Sequence, residues 1–61
     1  MIYKKYQVTL LFGGEDCPQL PDRDFVVVAQ GIESAVVVAT YDAINLGYKR
    51  HWVVGFHVEI L

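Results

Sequence analysis

The 61-residue chain has little of what usually indicates a function. It contains one cysteine, Cys17, so no internal disulfide can form, and no zinc-ligand spacing is present. The longest apolar runs, 25–29 and 35–39, are far short of the roughly 20 residues that span a bilayer. The start at 1–5 lacks the apolar stretch of a signal peptide. These absences predict a cytoplasmic protein with no membrane partner.

Positive charge is also scarce, whereas apolar residues are in excess. The five Lys and Arg stand against seven Asp and Glu, for a formal net charge of -2. The sequence pI of about 5.4 lies far below the value of roughly 9 that is typical of nucleic-acid-binding domains. Apolar residues make up 54% of the chain. Because so short a chain has little interior, part of this excess is expected on the surface, where a partner covers it.

The hydrophobic periodicity predicts three strands and one helix in a single domain, 1–61. Strict alternation predicts a strand that ends at Phe12, and a loop follows at 13–23. A second strand is predicted at 24–30, a helix from 32 to about 46, and a third strand at 52–61, with Trp52, Val54, Phe56, Val58 and Ile60 pointing inward. This order is typical of an α+β, two-layer ββαβ sandwich with one helix on one face of the sheet.

Two strand orders fit this pattern. In the order 2-1-3 the sheet is fully antiparallel and the valine-rich second strand lies at an edge. With strand 2 in the middle, it pairs in parallel with strand 3 through a right-handed crossover. We favour the antiparallel order 2-1-3, with a partner strand or sheet protecting the edge.

The predicted helix is apolar on two opposite sides. One side is a line of alanines at positions 35, 39 and 43. The second stripe consists of four residues: Val37, Tyr41, Ile44 and Tyr48. A single helix on a sheet has one side to bury, so this second stripe lacks a cover. We expect it to bind a protein partner, including a second copy in a homodimer, with the tyrosines as anchors; the alternative is that the loop or the chain ends cover it.

The loop between the first two strands carries most of the negative charge. Its four acidic residues are Glu15, Asp16, Asp22 and Asp24. Such a cluster is suited to binding a basic protein surface. The alternative is a solvated loop whose charge is offset by the segment 49–51, which the topology brings to the same end of the domain.

The segment 48–52 provides an alternative binding site. Tyr48, Lys49, Arg50 and His51 combine aromatic and cationic side chains, as contacts to single-stranded nucleic acid require. The patch is short and the net charge is negative, so nucleic acid is the less favoured partner.

No catalytic, metal or cofactor motif is present. His57 and Glu59 share one face of the third strand, but a catalytic pair needs a pocket and a third group. Loop residues Asp16, Cys17 and Asp22 do not have a metal-ligand spacing. The sequence therefore predicts a non-enzymatic protein without a cofactor.

One segment resembles a known family. The strand-to-helix junction, Gln30-Gly31 followed by Ala35, Ala39 and Ala43-Ile44, is similar to that of HicB-type antitoxins, which inhibit a toxin by direct contact. This chain has Glu33-Ser34 where those proteins carry paired glutamates. In size, charge and expected fold, the chain also resembles phage and mobile-element accessory proteins of the anti-CRISPR type. The second resemblance implies an inhibitor that docks on a host nucleoprotein complex, for which the acidic loop and the outer helix stripe are the expected contacts; the first implies, as an alternative, an antitoxin.

Overall fold

The computed structural model describes residues 2–61 and has the expected architecture. Its strands are β1 (Lys4–Phe12), β2 (Arg23–Ala29) and β3 (Val53–Ile60). The helix α1 spans Ile32–Asn45, and a short 3₁₀ helix, Arg50–Trp52, precedes β3. The sheet order is β2-β1-β3 and both pairings are antiparallel. The α+β class, the ββαβ order and the antiparallel strand order are therefore confirmed. No helix within residues 2–61 has the length and apolarity to cross a membrane.

The core forms between α1 and the middle of the sheet. Alternate residues of β1 face the helix, and of these Val8 and Leu10 are fully buried. The register sets Val8 between Phe25 of β2 and Val58 of β3. The buried residues are Tyr6, Val8, Leu10, Val27, Ala29, Ala35, Ala39 and Ala43. All three alanines of the inner helix side belong to this set, and their small side chains let the helix lie close to the strands.

The helix ends in a Schellman motif, which depends on a glycine. Gly47 has φ 106°, a left-handed conformation that favours glycine. Its N–H donates to the carbonyl of Ile44 at 3.0 Å, and the N–H of Tyr48 donates to the carbonyl of Ala43 at 3.1 Å. The chain therefore turns sharply after α1, and Tyr48 leaves the direction of the helix.

The helix covers only part of the sheet. It packs mainly on β2 and β1 and touches β3 little. A helix is about 10 Å wide and strands lie about 4.8 Å apart, so one helix covers about two strands. As a consequence, Phe56 and Ile60 stay 54% and 60% exposed, although they share the helix-facing side of the sheet with Tyr6 and Leu10.

The predicted inward direction is confirmed for Phe56, Val58 and Ile60, which share the helix-facing side. It is wrong for Val54 and Trp52. Val58 is half-buried against the core, but Phe56 and Ile60 are not covered. An irregularity in the β1–β3 register sets Val53, not Val54, opposite Phe12, so Val54 does not follow the expected alternation. Trp52 lies in the 3₁₀ helix rather than in the strand.

Candidate binding groove

An apolar groove lies where the helix fails to cover β3. It has a volume of about 370 Å³. One wall is the outer side of α1, and the floor is the first half of β3. Its lining residues are Val36, Val37, Thr40, Tyr41, Ile44, Arg50, Val53, Val54, Gly55 and Phe56. The groove therefore combines exposed apolar side chains of α1 and β3, and the hydrophobic pattern of neither element alone indicates the other.

The chemistry of the groove is simple. Tyr41 on the helix wall is 62% exposed, and Phe56 on the floor is 54% exposed. The hydroxyl of Thr40 donates to the carbonyl of Val36 at 2.8 Å, so its donor is already used. Arg50 is the one charged residue of the lining, and within residues 2–61 no ion pair joins it to a carboxylate. The groove is thus suited to burying apolar side chains next to a carboxylate.

Three residues of the predicted outer stripe line this groove together. Val37 and Tyr41 are 53% and 62% exposed, and Ile44 is 36% exposed. Among residues 2–61, neither the loop nor the segments near the chain ends cover them. The groove also includes β3 and Arg50, which the helix periodicity does not reveal. The sequence does contain one indication of β3 and Arg50: it predicts one helix and three strands, and a single helix is too narrow to cover three strands.

The placement of Tyr48 in the same stripe is wrong. Tyr48 follows the Schellman turn and packs edge-on against Phe12, with ring centroids 4.5 Å apart. The guanidinium of Arg23 lies 5.9 Å from the Tyr48 ring centroid and 5.7 Å from that of Phe25. Tyr48 is therefore a half-buried cap on one end of the core and does not contribute to the groove.

The four acidic residues do not act as one cluster. Asp24 lies in β2, not in the loop, and accepts hydrogen bonds from the hydroxyl of Thr9 at 2.6 Å and from Nε2 of Gln7 at 3.2 Å. Asp16 lies 2.7 Å from Nε2 of His51, where a ring N–H donates to the carboxylate. Glu15 and Asp22 stay exposed in the loop. Of the segment 49–51, which the topology was expected to bring near the loop, His51 contacts the loop through its hydrogen bond to Asp16.

The contact with His51 changes the acidity of Asp16. The hydrogen bond from His51 is the largest cause that holds the pKa of Asp16 below its ordinary value of 3.8. The indole Nε1 of Trp52 is buried and has no hydrogen-bond partner of good geometry among the described residues. It is still close enough to Asp16 to be the smallest cause of the lowered pKa.

We expect the His51→Ala variant to return the pKa of Asp16 toward 3.8, because the main hydrogen bond is lost. A carboxyl whose pKa is lower in the folded chain stabilises the fold above its unfolded pKa, and this stability is lost as the pH falls through the folded pKa. The free energy of unfolding of the variant should therefore depend less on pH below about 4. An NMR titration of the Asp16 carboxyl in the unaltered chain and in the variant measures the change; an unmoved Asp16 midpoint would contradict it.

The four residues of the alternative nucleic-acid site contact different neighbours. Tyr48 packs on the core, and Arg50 lines the groove. His51 pairs with Asp16, and Nζ of Lys49 lies 5.8 Å from the Trp52 ring centroid. Lys49 and His51 thus lie together at the Trp52 ring, whereas Arg50 lies at the groove and Tyr48 on the core.

The remaining reactive side chains are separate from one another. Sγ of Cys17 lies 3.1 Å from the carbonyl oxygen of Pro18. His57 and Glu59 form an exposed pair on the outer face of the sheet, with Nε2 and Oε1 3.2 Å apart. Within residues 2–61, no group of three His, Cys, Asp or Glu side chains is arranged to hold a metal ion.

Comparison with known proteins gave no relative. No family model matches the chain, and neither a curated protein nor a solved structure is significantly similar to it. A function must therefore be argued from the groove and the rest of the described surface.

Proposed function

We propose that this chain is a non-enzymatic protein-binding module that inhibits its partner by occupying a surface of it, and that the groove between α1 and β3 is the binding surface. The observation that carries the proposal is the exposure of Tyr41 on the helix wall and of Phe56 on the floor of one apolar groove. Aromatic residues and arginine dominate the binding energy of protein interfaces. Both kinds are present here, within a chain whose excess of apolar residues requires a cover.

The groove also indicates the chemistry of the partner. Its walls favour apolar side chains, and Arg50 is available for a carboxylate. An apolar segment with one acidic residue therefore matches it. The acidic loop is a weaker candidate contact, since Asp16 and Asp24 already have partners inside the chain. A second copy of the chain is included among the proteins that the module binds.

Substituting a wall residue tests the proposal. Val37→Glu places a charge in the groove, whereas Val26→Glu places the same charge on the opposite face of the sheet; the two valines are 53% and 60% exposed. Each variant is used to capture proteins from the source cell after its circular dichroism has been checked. We expect Val37→Glu to recover about tenfold less of the captured protein, a loss of about 1.4 kcal/mol in binding free energy.

Val26→Glu is the matched control and should recover as much protein as the unaltered chain. Equal recovery by Val37→Glu and the unaltered chain would overturn the groove as the binding surface. Capture of nothing by the unaltered chain would overturn the proposal as a whole.

A further inference from the structure

The free edge of β3 is a second surface without a cover. β3 pairs with β1 on one side only. The N–H of Leu61 donates to the carbonyl of Lys5 at 2.9 Å, which makes Lys5 and Leu61 a hydrogen-bonded pair. Such pairs alternate along an antiparallel ladder, so His57 and Glu59 bond to β1. Phe56, Val58 and Ile60 therefore direct their backbone N–H and C=O groups toward the free edge.

This edge has few of the features that keep edge strands apart. Within Val53–Ile60 there is no proline and no lysine, and the register irregularity lies at its beginning only. Two of the edge-facing residues, Phe56 and Ile60, are also more than half exposed. An apolar edge with free backbone groups is a template for another strand.

We infer that β3 pairs antiparallel with β3 of a second copy, about a two-fold axis at Val58. In this register His57 of each copy lies opposite Glu59 of the other, on the outer face of the sheet. Phe56 lies opposite Ile60 on the helix-facing side. The short distance within one strand, 3.2 Å between His57 and Glu59, shows that both side chains are on the same face and within reach of each other. Cross-strand pairs of opposite charge and of apolar residues are the ones that stabilise a sheet.

The pairing of the His57 imidazole with the Glu59 carboxylate favours the axis at Val58 over the axes at Phe56, His57 and Glu59. An axis at Phe56 sets His57 opposite Gly55. An axis at His57 sets that residue opposite itself, and an axis at Glu59 sets two carboxylates against each other, which is unfavourable. The axis at Val58 satisfies His57 and Glu59 at once, in both copies.

The other edge of the sheet has no such self-complementarity. The charged residues of β2 are Arg23 and Asp24, which are adjacent at its beginning. Adjacent residues of a strand point to opposite faces, so no two-fold pairing sets one opposite the other. The pairing of His57 with Glu59 therefore assigns the contact to β3 rather than to β2.

The inference rests on the proposed function, since it supplies the second copy as one bound protein. Pairing of the two β3 strands also changes the groove, because β3 is the floor of the groove in each copy. In a six-stranded sheet the two grooves would join into one trough between two helices whose axes lie roughly 19 Å apart, about four strand spacings. Helices pack about 8–10 Å apart, so one apolar helix of a further partner fits between them.

A proline at the edge tests the strand pairing. Ile60→Pro removes an N–H that faces the free edge, so the monomer keeps its ladder with β1. Ile60→Ala is the matched control, since it removes the same side chain and keeps the N–H. By sedimentation analysis of the full chain, we expect the dimer dissociation constant to rise at least tenfold more for the proline variant than for the alanine variant.

Single cysteines test the register in a Cys17→Ser background. Opposed residues in a hydrogen-bonded pair have Cα atoms about 5.5 Å apart, a distance that a disulfide spans. On oxidation, Val58→Cys is expected to form a covalent dimer faster than His57→Cys or Phe56→Cys, because only position 58 faces itself across the axis.

The outcomes that overturn the inference are distinct. They are a monomeric unaltered chain at several hundred micromolar, equal effects of Ile60→Pro and Ile60→Ala, or a faster disulfide at position 56 or 57. If one of these is found while Val37→Glu still loses capture, the groove remains the binding surface and the β3 pairing is wrong. If Val37→Glu captures normally while Ile60→Pro breaks the dimer, the β3 pairing stands and the groove is not the binding surface.

Discussion

Replacing Leu10 with alanine is expected to lower the free energy of unfolding by about 2–5 kcal/mol. Leu10 is fully buried in the central strand, and with Val8 it is one of the two largest such side chains. A Leu→Ala change at such a site costs about 2–5 kcal/mol, since the cavity left behind cannot collapse. A chain of this length has a free energy of unfolding of roughly 3–9 kcal/mol. One substitution therefore removes a large part of the stability.

The next residue provides the control. Leu11 has the same side chain but points to the opposite face of the sheet, where it packs on Gly55 and stays half-exposed. Leu11→Ala should cost clearly less than Leu10→Ala. Urea unfolding followed by circular dichroism measures both, and equal losses for the two variants would show that the core is not on the helix side of β1.

The features of the fold that depend on short stretches of sequence are predictable. The alternation from Tyr6 to Leu10 determines which face of β1 is buried, because side chains in a strand alternate between faces. Gly47 marks the end of α1, because the left-handed turn there favours glycine. The alanine line gives the inner side of the helix, since larger residues would hold it away from the sheet.

The groove was predictable only in part. Val37, Tyr41 and Ile44 follow from helix periodicity, but Phe56 and Arg50 enter through the position of the helix across the sheet. That position depends on packing between elements distant in sequence, which periodicity does not report. Tyr48 was misplaced because continuing the 3.6-residue spacing past Gly47 ignores the turn that redirects the chain onto Phe12.

The position of α1 links the two uncovered surfaces. Because the helix lies over β2 and β1, it exposes the inner side of β3, and because β3 is last in the sheet its edge is free. Phe56 belongs to both surfaces, as a lining residue of the groove and as an edge-facing residue of the strand. Covering either surface therefore buries part of the same apolar excess that the composition indicates.

The Ala39→Leu variant tests whether the alanine line sets the height of the helix above the sheet. Ala39 is fully buried in the middle of that line. Three added carbon atoms have no space there, so we expect a loss of about 1–3 kcal/mol in the free energy of unfolding from overpacking.

Val38→Leu is the control for Ala39→Leu, since the adjacent Val38 is 38% exposed and leucine is a good helix former. It should change the free energy of unfolding by no more than about 0.5 kcal/mol. Urea unfolding measures both variants. Since α1 is one wall of the groove, raising the helix in Ala39→Leu should also weaken partner capture, which Val38→Leu should leave unchanged. An Ala39→Leu protein as stable as the unaltered chain would mean that the helix is not held close by its alanines, and the position of the groove wall would then need another cause.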